Sequence, residues 1–352
     1  MRVDLSSLGW DDGFKAEYSP FDRPDQLPAR VARVDRGVCS VLTAHGPVRA
    51  SLGGEVLHRA AADPAAFPCA GDWVAVREWP DDRATIEAVL ARRTAVVRAT
   101  VGKDSGGQVL AANLDTAAVV EPLDPDPDLG RIERLLALAY ACGASPLIIL
   151  TKADLLADPE SVAESVAMAA PGVPIITLSA RTGAGLDLLR PHVRPGRTLG
   201  LLGPSGAGKS SLVNAVVGTT VMWTQEQRAD GRGRHTTTFR ALVPVPGGGA
   251  VLDTPGLRQV GMFASEAGLD DAFDDIRALA ERCRFKRCAH DHEPGCAVLD
   301  AVASGELAPR RLASWRKLKR ELSFATRRRE ARVTKSEIYR HRRAEQRRRA
   351  RP

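Results

Sequence analysis

The spacing of apolar and polar positions changes three times along the chain. From residue 30 to residue 98, short runs of β-forming residues such as RVARVDRGVCSVLTA and GDWVAVREW are separated by turn residues. Several short strands at regular spacing predict a small barrel or sandwich, and an OB-like β-barrel is the natural candidate. Such barrels often bind nucleic acid, but a barrel that only packs against its neighbour would give the same pattern.

The middle of the chain alternates short apolar runs with helical segments, and we assign residues 99–267 to one α/β domain. The predicted strands are TAAVVEPL, PLIIL, VPIITL, RTLGLLG and GAVLD. Between the first two, Ile132, Leu135 and Leu136 share one face of a predicted helix. Strands separated by helices predict a mostly parallel sheet covered on both faces.

The two ends of the chain differ from this core. Residues 1–29 are rich in Asp, Pro and Gly and predict a loosely ordered arm. Residues 268–324 predict a helical domain around a cluster of cysteines, and residues 325–352 predict a basic tail. No apolar stretch is long enough for a membrane span and the N-terminus has no signal-peptide pattern, so we expect a cytoplasmic protein.

Charge is distributed unevenly. The net charge is +7, yet residues 310–352 hold 18 Lys and Arg against 4 Glu, so the rest of the chain carries −7. A concentrated basic segment indicates a polyanionic partner, with nucleic acid the first candidate.

The strongest chemical signal is a glycine-rich loop between a predicted strand and a predicted helix. It has the pattern GxxxxGK[ST], in which backbone N–H groups and a helix N-terminus hold a phosphate chain. Lys209 would reach the β- and γ-phosphates, and Ser210 would bind Mg²⁺. The candidate nucleotide-binding residues of the loop are Gly203, Pro204, Ser205, Gly206, Ala207, Gly208, Lys209, Ser210 and Ser211.

A second motif indicates which base is bound. Thr151, Lys152, Ala153 and Asp154 directly follow the predicted strand PLIIL, where a side chain at the carboxyl end of a parallel strand faces the ligand crevice. Guanine presents two adjacent donors that the Asp154 carboxylate can accept, whereas adenine presents an acceptor there. The segment resembles the [NT]KxD element of guanine-nucleotide-binding proteins, although Asp154 could simply start a helix.

Two further segments resemble elements of the same proteins. Ser179 and Ala180 resemble the SA element, whose backbone N–H binds guanine O6. Asp253 to Gly256 (DTPG) resembles the DxxG element, in which the Asp holds Mg²⁺ through water and the Gly senses the γ-phosphate, although DTPG also fits an ordinary turn. Between the phosphate loop and DTPG, GRGRHTTTF places Thr237, or a neighbouring threonine, where a magnesium-binding threonine is expected.

The cysteine cluster has the spacing of a metal site. Cys283, Cys288, His290 and Cys296 form a three-Cys, one-His set that fits tetrahedral Zn²⁺ in a structural site. His292 competes with His290 for the fourth position, and reduced cysteines under a loop are the alternative.

The order of these motifs resembles one family in particular, the circularly permuted, small-ribosomal-subunit-dependent GTPases of the RsgA (YjeQ) family. TKAD and SA precede the phosphate loop here, whereas ordinary GTPases have them after DxxG. The resemblance covers about residues 30–323. It implies a multidomain protein with an OB-like β-barrel, a permuted P-loop GTPase domain and a helical zinc-binding domain.

The resemblance also implies a function: GTP hydrolysis to GDP and phosphate in late maturation of the small (30S) ribosomal subunit, with rRNA as partner. Leu257 stands where many GTPases have a water-orienting Gln, so we expect slow intrinsic turnover. His235 is the candidate to position the attacking water, or else it contacts rRNA or packs. The alternatives are an rRNA-binding scaffold whose affinity GTP gates, and, more remotely, an ATPase. We expect a monomer.

Overall fold

The computed structural model describes residues 3–98, 107–222, 240–254 and 265–327. The strands are β1 (Gln26–Asp35), β2 (Val38–Thr43), β3 (Gly46–Leu52), β4 (Trp73–Glu78), β5 (Ala84–Val89), β6 (Ala95–Arg98), β7 (Gln108–Ala112), β8 (Thr116–Pro122), β9 (Ser145–Thr151), β10 (Ile175–Thr177), β11 (Thr198–Leu202), β12 (Ala241–Pro244) and β13 (Ala250–Asp253). The α-helices are α1 (Asp12–Tyr18), α2 (Gly54–Ala62), α3 (Leu129–Ala141), α4 (Pro159–Ala169), α5 (Lys209–Val217), α6 (Glu266–Ala272), α7 (Asp274–Ala280), α8 (Ala297–Ser304) and α9 (309–327). None of the described helices is both long and apolar enough to cross a membrane.

The N-terminal β-barrel is confirmed. Its five strands follow the order β1-β2-β3-β5-β4, and β4 pairs back onto β1 to close it. Alternate residues of β2 and β5 point inward, among them Cys39, Val41 and Ile86, which are fully buried. The barrel starts at Gln26, four residues before the predicted boundary, because the first half of β1 pairs with β4.

The predicted loose arm over residues 1–29 is wrong for its described part. Asp11 caps α1 by accepting a hydrogen bond from the Phe14 N–H, and Phe14 and Tyr18 are buried. Trp10 lies 4.9 Å from the barrel residue Trp73, measured between ring centroids. The arm is therefore part of the core. Its apolar residues recur every two to four positions from Val3 to Phe21, but they alternate with the Asp, Pro and Gly residues on which the prediction of a loose arm is based.

The central sheet is parallel over five strands in the order β10-β9-β8-β11-β13. Successive residues of β9 enter two separate apolar clusters, Ile148 and Leu150 on one face and Leu147 and Ile149 on the other. Both faces of this sheet are therefore buried, which explains why its strands are continuously apolar.

The barrel and the central sheet are joined by strand pairing. β12 runs antiparallel to β13 on one side and pairs with β1 at Arg33 and Ala241 on the other, so the strands form one continuous sheet. β12 lies between the phosphate loop and the DTPG segment in the chain, and it connects β13, the strand that ends at Asp253, to the barrel.

The C-terminal helices are held to the central domain by charged side chains around the buried Glu133 and Arg311. We call this group the Glu133 cluster: Glu133, Asp275, Arg310 and Arg311. Glu133 on α3 is fully buried and accepts hydrogen bonds from Arg310 at 2.8 Å and Arg311 at 3.0 Å, both on α9. Arg311 also donates to Asp275 on α7, at 2.9 Å. Every buried charge of the cluster therefore has an opposite partner, as burial requires.

Candidate functional site

The motifs predicted to bind a nucleotide follow the ends of four of the five parallel strands of the central sheet. TKAD begins at the last residue of β9, Ser179 comes shortly after β10, the glycine-rich loop follows β11, and Asp253 ends β13. These strands belong to the parallel part of the sheet, so their carboxyl ends lie on one edge. Ligands of open parallel sheets bind at this edge.

The glycine-rich loop has a backbone that only glycine permits at several positions. A Cβ on Gly203 would lie 2.3 Å from the carbonyl oxygen of Val120, and Gly206 and Gly208 have φ of +85° and +84°. Helix α5 starts immediately afterwards, with Gly208 as its N-cap. The loop therefore leads directly into a helix N-terminus, whose backbone N–H groups favour an anion.

Lys209 is turned back onto this loop. Its side chain is buried, and Nζ donates hydrogen bonds to the carbonyl oxygens of Gly203 at 2.9 Å and Pro204 at 2.7 Å. Thr151 joins the TKAD segment to the same loop, because its hydroxyl donates to the Ala207 carbonyl at 2.8 Å. The two segments predicted to hold the phosphates and the base are thus in direct contact.

Asp253 is a buried carboxylate with one unsatisfied oxygen. Its Oδ1 has no hydrogen-bond partner among the described residues, and burial raises its pKa to about 6, with the Lys209 charge acting in the opposite direction. The next residue, Thr254, is also buried but donates its hydroxyl to the Leu201 carbonyl at 2.6 Å. A buried carboxylate oxygen without a hydrogen-bond partner is unfavourable, and an oxygen ligand of this kind suits Mg²⁺.

Asp154 has hydrogen bonds to both of its oxygens. Oδ1 accepts from the hydroxyl of Ser179, and Oδ2 accepts from Nε of Arg181 at 2.8 Å. These donors lower the pKa of Asp154, with Ser179 the larger cause, so the group is ionised at neutral pH. The backbone N–H of Thr182 donates to the Ser179 hydroxyl at 3.2 Å, which orients its proton towards Asp154. The structure therefore brings TKAD and SA together.

Arg181 is the residue that the sequence analysis missed. It follows Ala180 directly, so its place beside the SA element was visible, but its contact with Asp154 depends on the fold. Lys152, by contrast, adopts φ of 62° and donates from Nζ to the Asp124 carbonyl at 3.2 Å. Ala153 and Asp154 lie in a short 3₁₀ helix, which turns the Asp154 carboxylate towards Ser179.

Some predicted residues lie outside the described parts of the chain. These are His235, Thr237 with its two neighbouring threonines, Gly256, Leu257 and the tail beyond residue 327. Their predicted roles stay predictions.

The cysteine cluster forms a compact set of ligand atoms. The donor atoms of Cys283, Cys288, His290 and Cys296 all lie within 4.8 Å of one another. The sulfur atoms of Cys283 and Cys296 are 3.8 Å apart, close to the ~3.8 Å edge of a tetrahedron with Zn–S bonds of about 2.3 Å. His292 has an 88% exposed side chain and is not part of the set. His290 therefore supplies the nitrogen of the candidate metal centre.

Known proteins have sequences similar to this one over most of its length. The RsgA GTPase family profile matches residues 89–263. The small ribosomal subunit biogenesis GTPase RsgA of Streptomyces coelicolor is 52% identical over 321 residues, which cover 90% of this chain and 86% of that protein. The protein of the same name from Opitutus terrae is 45% identical over 335 residues, covering 92% of this chain and 91% of the other.

Solved structures share the fold. YjeQ from Thermotoga maritima aligns with a TM-score of 0.61 at 25% identity and covers 84% of this chain and 98% of its own. YloQ, described as a circularly permuted GTPase, aligns with a TM-score of 0.59 at 23% identity and covers 86% of this chain and 96% of its own. The order of strands and motifs described above is therefore that of a permuted GTPase fold.

Proposed function

The chain belongs to the RsgA family of GTPases, and from this premise we propose that it hydrolyses GTP to GDP and phosphate during biogenesis of the small ribosomal subunit. The observation that carries the proposal is the convergence of the glycine-rich loop, TKAD, SA and Asp253 at one edge of the parallel sheet. A cytoplasmic location follows from the proposed partner.

We assign the nucleotide contacts as follows. The loop from Gly203 to Ser211 wraps the phosphates, and Lys209 exchanges its two carbonyl partners for phosphate oxygens, which are charged and therefore stronger acceptors. The Asp154 carboxylate accepts from guanine N1–H and the 2-amino group. The backbone of Ser179 and Ala180 faces guanine O6, and Lys152 lies along the base.

Two metal ions fit the residues present. Ser210 and Asp253, together with Thr237, would hold Mg²⁺, and the unpartnered Oδ1 of Asp253 is the observation that supports it. Bound Mg²⁺ neutralises charge on the phosphates. Cys283, Cys288, His290 and Cys296 would hold one structural Zn²⁺, since the four protein ligands leave no open position for substrate.

The basic C-terminal segment supports RNA as the partner within the subunit. Phosphate groups dominate the affinity of nucleic-acid-binding proteins and attract clusters of Lys and Arg. The barrel supplies a second candidate RNA surface, since barrels of five strands commonly bind oligonucleotides.

The rival function is an RNA-binding scaffold in which bound GTP only controls the affinity for the small subunit. The two functions differ in the need for turnover, so the test is to measure GTP hydrolysis and release from purified small subunits together. We expect the subunits to stimulate the parent protein and Lys209→Ala to lower the hydrolysis rate by about a hundredfold or more. If Lys209→Ala binds and leaves the subunits like the parent, the scaffold function is correct.

A further inference from the structure

Arg181 occupies the carboxylate that the proposed function assigns to guanine. Its Nε donates to Asp154 Oδ2 at 2.8 Å, and a second guanidinium nitrogen lies 2.7 Å from the same oxygen. The Asp154 side chain is only 11% exposed, whereas that of Arg181 is 69% exposed. The carboxylate is therefore fixed in place, while the arginine can swing into solvent at little cost.

The number of hydrogen bonds that Asp154 can accept is limited. Each carboxylate oxygen has two lone pairs. On Oδ1, the Ser179 hydroxyl is the one side-chain donor found among the described residues, and it is held in place by the Thr182 N–H. In front of Oδ2, Nε of Arg181 donates a hydrogen bond at 2.8 Å and a second guanidinium nitrogen lies 2.7 Å away as an ion-pair contact, so the guanidinium fills the approach to this oxygen. A new donor can therefore reach Oδ1 beside Arg181, whereas a donor to Oδ2 has to displace it.

Guanine and hypoxanthine differ in this respect. Guanine offers N1–H and the 2-amino group to the carboxylate, so it needs one position on each oxygen. Hypoxanthine, the base of ITP, has the same N1–H and O6 but no 2-amino group, so it can donate to Oδ1 alone and leave Oδ2 to Arg181. Only the 2-amino group of guanine competes with Arg181.

We propose that Arg181 is a specificity-determining residue that closes the guanine site when no nucleotide is bound and that the guanine 2-amino group displaces it. This inference rests on the proposed function, in which Asp154 binds guanine. Arg181 thereby reduces the advantage of GTP over ITP, because guanine must break an ion pair that hypoxanthine leaves intact. Because the Arg181 side chain is 69% exposed, solvent weakens this ion pair, so the expected change in GTP affinity is a small factor and not an on–off switch.

The test is to measure the dissociation constants of GTP and ITP for the full-length parent, Arg181→Ala, Arg181→Lys and Arg190→Ala. Arg190 is an exposed arginine nine residues further along, for which no ion pair is found among the described residues, so it controls for loss of charge. We expect Arg181→Ala to bind GTP about twofold to fivefold more tightly and to bind ITP like the parent. Arg181→Lys cannot place two nitrogens on one oxygen, so its affinity for GTP should lie between those of the parent and Arg181→Ala.

Two results would overturn the inference. If GTP binding weakens or does not change in Arg181→Ala, Arg181 does not compete with the base. If GTP and ITP affinities rise together, the effect is one of charge or access and does not involve the 2-amino group. Asp154→Asn in the same series separates this inference from the proposed function. If that variant binds GTP like the parent, the guanine site itself is wrong, whereas weakened GTP binding leaves Arg181 alone under test.

Discussion

Replacing Glu133 with alanine tests how the C-terminal helices are held against the central domain. Glu133 is fully buried on α3, and its carboxylate accepts hydrogen bonds from Arg310 and Arg311. Removing one partner of a buried ion pair costs about 3–5 kcal/mol, because the other charge stays buried without compensation.

The structure lowers this figure for two reasons. Arg311 is 3% exposed but keeps its two hydrogen bonds to Asp275 and its bonds to the Ala169 and Ala272 carbonyls. Arg310 is 43% exposed and can turn into solvent. We therefore expect Glu133→Ala to lower the free energy of unfolding by about 2–3 kcal/mol, less than for a fully uncompensated charge.

The chain offers a matched control on the same pair of helices. Arg134 on α3 and Glu321 on α9 also form an ion pair, with side chains 29% and 44% exposed. Because this pair is solvated, Glu321→Ala should cost less than about 1 kcal/mol. Glu133→Gln keeps the shape of the side chain and removes its charge, so its loss of unfolding free energy should lie between those of Glu133→Ala and Glu321→Ala.

The measurement is native-state hydrogen exchange of α3 and α9, since a single unfolding midpoint is poorly defined for a multidomain chain. The most protected amides of α9 should exchange about 30-fold to 150-fold faster in Glu133→Ala. Adding Arg311→Ala to Glu133→Ala should cost less than the sum of the two single changes, because they share one interaction. Equal exchange rates for Glu133→Ala and Glu321→Ala would refute the idea that burial makes the Glu133 cluster the stronger connection.

Three further predictions concern the proposed sites. Asp154→Asn should lose at least about tenfold in GTP affinity and bind xanthosine triphosphate instead, because the new amide can donate to the carbonyl at position 2 of xanthine. Competition binding measures both affinities, and an unchanged GTP affinity would mean that Asp154 only starts a helix. Metal analysis should find one Zn²⁺ per chain in the parent and none in Cys288→Ser, while GTP binding survives; a full zinc content in the variant would show that the ligand set is wrong. Truncation after Phe324 removes 12 Lys and Arg and 3 Glu. A plot of log affinity for the small subunit against log salt concentration should therefore have a shallower slope, and an identical slope would place the tail away from the RNA.

The sequence alone determined those parts of the protein whose physical cause is local. Apolar runs placed β8, β9, β10, β11 and β13, because buried parallel strands need both faces apolar. Two short motifs indicated their chemistry without the fold. The glycines of the phosphate loop indicate a backbone with φ > 0, and metal ligation requires the residue types found at Cys283, Cys288, His290 and Cys296. These signals were sufficient for the fold class and for most of the candidate site.

Only the tertiary structure decided the interactions between distant segments. Glu133 and Arg311 are 178 positions apart, and nothing in either local pattern distinguishes them from solvated charges on a helix. The packing of the N-terminal arm also depends on a distant segment, because Trp10 is partly buried against Trp73 of the barrel. Arg181 is an ordinary surface arginine in the sequence and becomes a competitor for the guanine position only where β9 and β10 end side by side. Periodicity records which face of an element is buried, whereas the choice of partner depends on how separate elements pack, which no local pattern contains.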